Sequence, residues 1–220
     1  MITSAPGATV VLDLDGTLVP GDTQRQLFLH CLTRGRLGLG GRLVLLLGGC
    51  GHLLGLVGNR SIKALLARAL AGREPAALEQ TAARWLAERP ALRVRPALRA
   101  RLAEHRRRGD ALLLLSASLE PVVRAYARHL GIARVLATGL EVRDGRLTGG
   151  LAGVCPHGAE KARLLRDLTR REGLDLDHCW AYADGWSDRS LLALVGHPVV
   201  VGPGARLARL ARRHGWETLP

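Results

Sequence analysis

Apolar residues along the 220-residue chain fall into two alternating patterns. Short unbroken runs of β-branched and apolar residues at 8–13, 111–115, 178–183 and 198–201 predict strands buried on both faces. Between and after them, apolar positions three and four apart predict amphipathic helices over 24–33, 120–130, 159–171, 187–195 and 205–214. In the clearest of these, Ala162, Leu164, Leu165 and Leu168 share one face, with Arg and Asp on the other. Asp22 or Thr23 is placed to cap the first helix. Residues 135–151 read as a hairpin that turns at Asp144-Gly145. Buried strands alternating with amphipathic helices predict an α/β fold, Rossmann-like and doubly wound, with a mainly parallel sheet.

The first interval breaks that alternation. A strand–helix–strand unit needs about 30 residues, yet about 100 separate Asp13 from Ser116, against 45 from Ser116 to Lys161 and 23 from Lys161 to Asp184. Roughly 70 residues are therefore inserted after the first strand. Their content is helical, at 62–71 and 76–87, with Gly72 and Pro75 between and Pro90 and Pro96 marking the return. The expected organisation is a core of residues 1–20 and 96–220 with a helical cap inserted over 21–95.

Within the cap, residues 37–57 are mostly Leu and Gly, with only Arg42 and His52 as polar interruptions. The length is enough to span a bilayer. Seven Gly make it a poor helix without a packing partner. It is read as a pair of cap helices, with contact at a membrane surface as the minority alternative. The four cysteines, Cys31, Cys50, Cys155 and Cys179, form no C-x-x-C pair, and the N-terminus lacks a cationic, apolar leader. Both features point to reduced thiols in a cytoplasmic protein.

The formal net charge is +13, from 32 Lys+Arg against 19 Asp+Glu, and only Lys63 and Lys161 among the cations are Lys. Such an excess suggests an anionic partner. Single-strand binding wants aromatic platforms among the cations, whereas aromatics are 3% of this chain and scattered. A specific nucleic-acid partner is therefore not expected, and most of the Arg reads as solvated helix faces.

The chemistry lies at predicted strand ends. Asp13 and Asp15, at i and i+2, put two carboxylates on one side of the first strand's end. Like charges held that close resist joint ionisation without a cation, which suits a hard ion such as Mg²⁺ as readily as a solvated turn. Asp184-Gly-Trp-Ser-Asp188 ends a later strand and offers further carboxylates. Ser116 follows the second strand, where a hydroxyl and N–H groups at a helix start favour an anion. Lys161 falls in the first turn of a helix, where the dipole disfavours a cation, and its compact charge suits a crowded phosphate site.

Taken in order, these residues resemble the four motifs of the haloacid dehalogenase superfamily of phosphotransferases: Asp13-Leu-Asp-Gly-Thr-Leu-Val19, Ser116, Lys161, and Asp184-Gly-Trp-Ser-Asp188. A helical cap between the first and second motifs is similar to the phosphoserine-phosphatase-like branch. The stretch from Tyr182 through Gly196-His-Pro198 looks like a bacterial group within it. The resemblance implies a phosphomonoester hydrolase that uses Mg²⁺. In it Asp13 would be the nucleophile forming an aspartyl-phosphate, and Asp15 the general acid and base. Asp13, Asp15 (through its carbonyl) and Asp184 would hold the metal. Ser116 and Lys161, with Thr17 in support, would bind the phosphate, and Asp188 would orient Lys161 or a metal-bound water. True phosphoserine phosphatases carry a Glu nine residues after the nucleophile, where this chain has the shorter Asp22, and a glycine pair where it has Ala117-Ser118. Phosphoserine is thus admitted but not favoured, with Arg60 as the nearest cap Arg to read a carboxylate. A small phosphorylated metabolite is the expected substrate. The alternatives are a lipid-like phosphomonoester and phosphate transfer to an alcohol by a phosphotransferase or mutase. Oligomeric state is not legible.

Overall fold

The computed structural model describes residues 7–33, 43, 59–89 and 94–220, so residues 37–57, Leu43 apart, lie outside the described residues. The described strands are β1 (Thr9–Leu12), β2 (Ala111–Leu119), β3 (Arg134–Arg143), β4 (Arg146–Ala152), β5 (Trp180–Ala183), β6 (His197–Val201) and β7 (Glu217–Leu219). The helices are α1 (Thr23–Thr33), α2 (Asn59–Ala69), α3 (Pro75–Ala87), α4 (Pro96–Arg108), α5 (Glu120–His129), α6 (Ala159–Glu172), α7 (Arg189–Leu192) and α8 (Ala205–His214). Short 3₁₀ turns at Leu176–His178 and Trp186–Asp188 flank β5.

The strands form one sheet in the order β4-β3-β2-β1-β5-β6-β7, parallel except where β4 returns antiparallel on β3. Connection direction reverses at β1, which pairs with β2 on one side and β5 on the other. Open α/β sheets bind ligands at the carboxyl ends of the strands beside such a switch point. Asp13 follows β1 directly.

Both faces of the sheet are covered. Val10 and Leu12 join a cluster with Leu66, Leu70, Leu78, Trp85, Leu98 and Tyr126, while Val11 faces Leu165, Leu191, Leu207 and Ala211 on the other side. A central strand buried on two faces explains its unbroken apolar run. Helices α1, α2 and α3 share the first of these clusters with the sheet through Leu27, Leu66 and Leu78. Gly149 lets α2 approach β4: at its φ of +90° a Cβ would meet the Cα of Arg68 at 3.2 Å.

The expected hairpin is present, and Asp144 and Gly145 take φ of 51° and 73°, as the two-residue turn requires. Its first strand also extends the parallel sheet by pairing with β2. Two expectations shift. β2 runs through Ser116 to Leu119, with irregular pairing to β3 beyond Leu115, so Ser116 lies in the strand and four residues before the next helix. The expected helix over 187–195 is a 3₁₀ turn followed by the short α7. Glu217–Leu219, too short and mixed to carry a periodic signal, becomes the edge strand by pairing with β6.

Candidate active site

Four chain segments converge at the carboxyl ends of β1, β2 and β5. The Lys161 ammonium, on the first turn of α6, lies 2.8 Å from Asp13 Oδ1 and 2.9 Å from Asp188 Oδ2. All three are buried, at 3%, 6% and 3% exposure. Burial alone would lower the Lys161 pKa, but the Asp13 and Asp188 carboxylates outweigh it and hold the group protonated, above its ordinary value. Burial raises Asp188 to about 6 against the pull of Lys161, and burial with the Asp13 charge raises Asp184.

Thr17 ties two of these carboxylates, its hydroxyl lying 2.8 Å from Asp184 Oδ1 and 3.2 Å from Asp13 Oδ2. The turn that brings it there depends on Gly16, whose φ is +80° and whose Cα faces the Asp184 carboxylate so closely that a Cβ would collide with it. Arg95 secures the same turn, donating from Nε at 3.2 Å and Nη2 at 2.9 Å to the Gly16 carbonyl.

Asp15 points elsewhere. Its Oδ1 accepts the Thr23 N–H at 2.7 Å and its Oδ2 accepts the Ser118 hydroxyl at 2.5 Å. Burial raises its pKa to about 6, the two hydrogen bonds holding it from going higher. A carboxyl poised there can both give and take a proton near neutrality. Ser116 Oγ accepts the Ser118 N–H at 3.1 Å, which leaves its own proton to donate to a ligand.

Ligand oxygens of Asp13, Asp184 and Asp188 lie within 4.8 Å of one another. Asp188 Oδ1 is buried without a hydrogen-bond partner among the described residues. Three carboxylates against one ammonium leave an excess of negative charge, and an orphaned buried acceptor marks where it is uncompensated. Hard oxygen donors of this kind fit Mg²⁺. The Asp15 side chain lies outside this cluster, so only its main-chain carbonyl is left for the expected role as a ligand.

Asp22 is exposed and accepts the Arg25 N–H at 2.7 Å, capping α1, and Arg60 is exposed at the start of α2. Lys63, on α2, is buried at 7% exposure, its Nζ 3.3 Å from Cys155 Sγ. Its charge also acts on His157, whose pKa is lowered by burial, then by Lys63 and Lys161. The sequence reading passed over Ser118, Arg95 and Lys63. Ser118 stands where the resemblance has a glycine, Lys63 is one of two Lys, and Arg95 is one Arg among thirty.

The family model for haloacid dehalogenase-like hydrolases matches residues 10–193, from β1 through the Asp188 turn. The chain belongs to the haloacid dehalogenase-like hydrolase family. Among curated members, the protein named phosphoserine phosphatase SerB1 of Mycobacterium tuberculosis is 43% identical over 109 residues, covering 50% of this chain and 35% of that one. The histidinol-phosphatase of Neisseria meningitidis is 31% identical over 130 residues, covering 57% of this chain and 59% of its own length. The chain thus spans well under two thirds of these relatives. A Bordetella pertussis protein described as of unknown function superposes with a TM-score of 0.85 at 23% identity, over 98% of this chain and 99% of that one. That likeness shows the fold.

Proposed function

We propose that this member of the family hydrolyses small phosphomonoesters through an aspartyl-phosphate on Asp13. The observation that carries the reading is the buried Lys161 ammonium held between Asp13 and Asp188. An Asp13 carboxylate oxygen attacks phosphorus, and the ester oxygen departs with the proton of Asp15. Asp15 then takes a proton from water, whose oxygen attacks the same phosphorus and releases orthophosphate and the Asp13 carboxylate. Lys161 and the Ser116 hydroxyl hold the phosphoryl oxygens on which charge spreads. Thr17 orients Asp13 and Asp184, and Asp188 fixes Lys161. Asp13, Asp184 and the Asp15 carbonyl, with Asp188 adjoining, would hold Mg²⁺, which when bound neutralises phosphate charge.

We read residues 21–95 as the cap over this site. Lys63, buried on α2 and acting together with Lys161 on His157, favours a substrate that carries a second anionic group. The named substrates of the two curated relatives differ in their leaving alcohols, and this chain is assigned here to the shared phosphomonoester class.

The test is turnover of p-nitrophenyl phosphate and of a phosphomonoester panel, with orthophosphate measured in the presence and absence of added alcohols. Wild type should require Mg²⁺ and release orthophosphate in both conditions, and Asp13→Asn should be inactive. Metal-independent turnover by Asp13→Asn sinks the reading. Phosphate appearing only on the alcohol would make the chain a phosphotransferase. Lys63→Met should raise KM for substrates with a second anionic group and leave p-nitrophenyl phosphate unaffected.

A further inference from the structure

The Arg excess is not spread evenly once the chain is folded. On α4, α5 and α6 many of the arginines meet acids: Arg107 and Arg108 pair with Glu104, Arg124 with Glu120, and Arg163 with Glu160 and Asp167, while Arg99, Arg106, Arg166 and Arg171 make no ion pair among the described residues. Helix α8 holds Arg206, Arg209, Arg212 and Arg213 and no acid at all. All four are exposed, and among the described residues no carboxylate pairs with any of them. Arg212 and Arg213 stand in the last turn, where the helix dipole favours cations. Arg206 stands in the first turn, where it does not.

What holds Arg206 there is Trp186, whose ring centre lies 3.8 Å from the guanidinium carbon, with Arg189 at 5.1 Å from the same ring. Stacking on an aromatic ring fixes a guanidinium without neutralising it, so its in-plane N–H groups stay free to fork onto an oxyanion. Trp186, Leu210 and the four arginines of α8 line an open cleft of about 570 Å³. Arg206, Arg209 and Arg213 follow i, i+3, i+7 spacing and so line up along about 10 Å of one helix face.

We propose that this cleft binds a small polyphosphorylated ligand, with adjacent phosphoryl groups on Arg206, Arg209 and Arg213. Several unpaired guanidiniums in one concavity call for a ligand with several charges close together. A nucleic-acid tract is the poorer fit, because the one aromatic ring is engaged with cations and offers no base-stacking platform. A membrane surface is poorer still, since the large exposed apolar side chains among the described residues, Leu29, Leu43, Val142 and Val154, lie outside α8. The site is separate from the phosphate position at Asp13 and does not rest on the proposed hydrolysis. It does adjoin it, since Trp186 stands between Asp184 and Asp188 in one turn.

Calorimetric titration with inorganic tripolyphosphate tests this on the full chain, using wild type, Asp13→Asn and the double variant Arg209→Gln/Arg213→Gln. Saturable one-to-one binding is expected in the first two, at least tenfold tighter than orthophosphate. The double variant should lose at least tenfold while keeping wild-type melting behaviour and p-nitrophenyl phosphate turnover. ATP binding as tightly as, or more tightly than, tripolyphosphate supports the same site, tighter binding adding that the nucleoside is also read. Absent saturation, or equal binding by the double variant, overturns the proposal. So does tighter binding of a DNA oligonucleotide or of anionic phosphatidylserine vesicles than of tripolyphosphate.

Discussion

Removing the ammonium of Lys161 should destabilise the protein in a way that depends steeply on pH. Lys161 lies 2.8 Å from Asp13 and 2.9 Å from Asp188, all three essentially buried. At an effective dielectric constant near 20, each contact is worth about 6 kcal/mol before desolvation. Breaking such a pair by deleting one partner costs about 3–5 kcal/mol, because a buried charge is left uncompensated. Protonation can relieve that cost. Burial already raises Asp188 to about 6 with Lys161 present. The folded form therefore binds more protons than the unfolded one between the ordinary carboxylate range and about 6, and stability falls as pH rises through that window. Lys161 itself is held above its ordinary value, so its contribution is fully present at any pH below 10.5. In Lys161→Met the window extends upward. Thermal and urea unfolding in EDTA should show a loss of about 3–5 kcal/mol at pH 8, or roughly 10–15 °C. At pH 5, where protons replace the missing cation, about 1–2 kcal/mol should remain, mostly from packing and lost hydrogen bonds. Equal losses at the two pH values would refute the electrostatic account and leave Lys161 as a packing residue.

Ser118→Ala removes a hydrogen bond from the Asp15 carboxylate; such a bond is worth about 1.5–3 kcal/mol, so the limb of the kcat–pH profile set by Asp15 should move up from about 6 by roughly one to two units, and an unmoved limb would separate that limb from Asp15. Gly16→Ala should cost about 1–2 kcal/mol in backbone strain and abolish turnover by displacing Asp184, whereas Gly72→Ala, at a similar φ of +79° but in open space, should show the strain alone. Activity retained in Gly16→Ala would mean that the turn can move without the carboxylate cluster. His105 is 1% exposed, 2.7 Å from Asp110 and 2.8 Å from the Tyr182 hydroxyl, and burial lowers its pKa below 6.5. Stability should therefore fall as pH drops below 6.5, by up to about 1.4 kcal/mol per pH unit for this group, and urea titrations of His105→Asn should lack that component. Parallel pH curves for the two proteins would exclude His105 as its source.

The sequence alone determined the strand–helix alternation, the long interval between Asp13 and Ser116, and the candidate residues Asp13, Asp15, Ser116, Lys161, Asp184 and Asp188. Those are local properties: a doubly buried strand must be apolar throughout, and a carboxylate at its end is visible beside it. The turn at Asp144-Gly145 was legible for the same reason, since two consecutive positive φ angles demand those residue types. The tertiary structure decided which distant groups meet. Sheet order brings Ser118 to Asp15, 103 positions away in sequence, and Arg95 to Gly16, 79 away. It sorts Asp15 away from the carboxylate cluster that Asp188 joins. Asp22, at a motif position, turned out to cap a helix, while on α2 Lys63 is buried and Arg60 exposed. A charge count cannot tell paired arginines from unpaired ones, because pairing depends on which helix faces which acid. Folding paired many arginines of α4, α5 and α6 with acids and left the four of α8 without a carboxylate partner among the described residues, Arg206 stacked on Trp186. The +13 excess was therefore visible in the sequence, and the unpaired row on α8 was not.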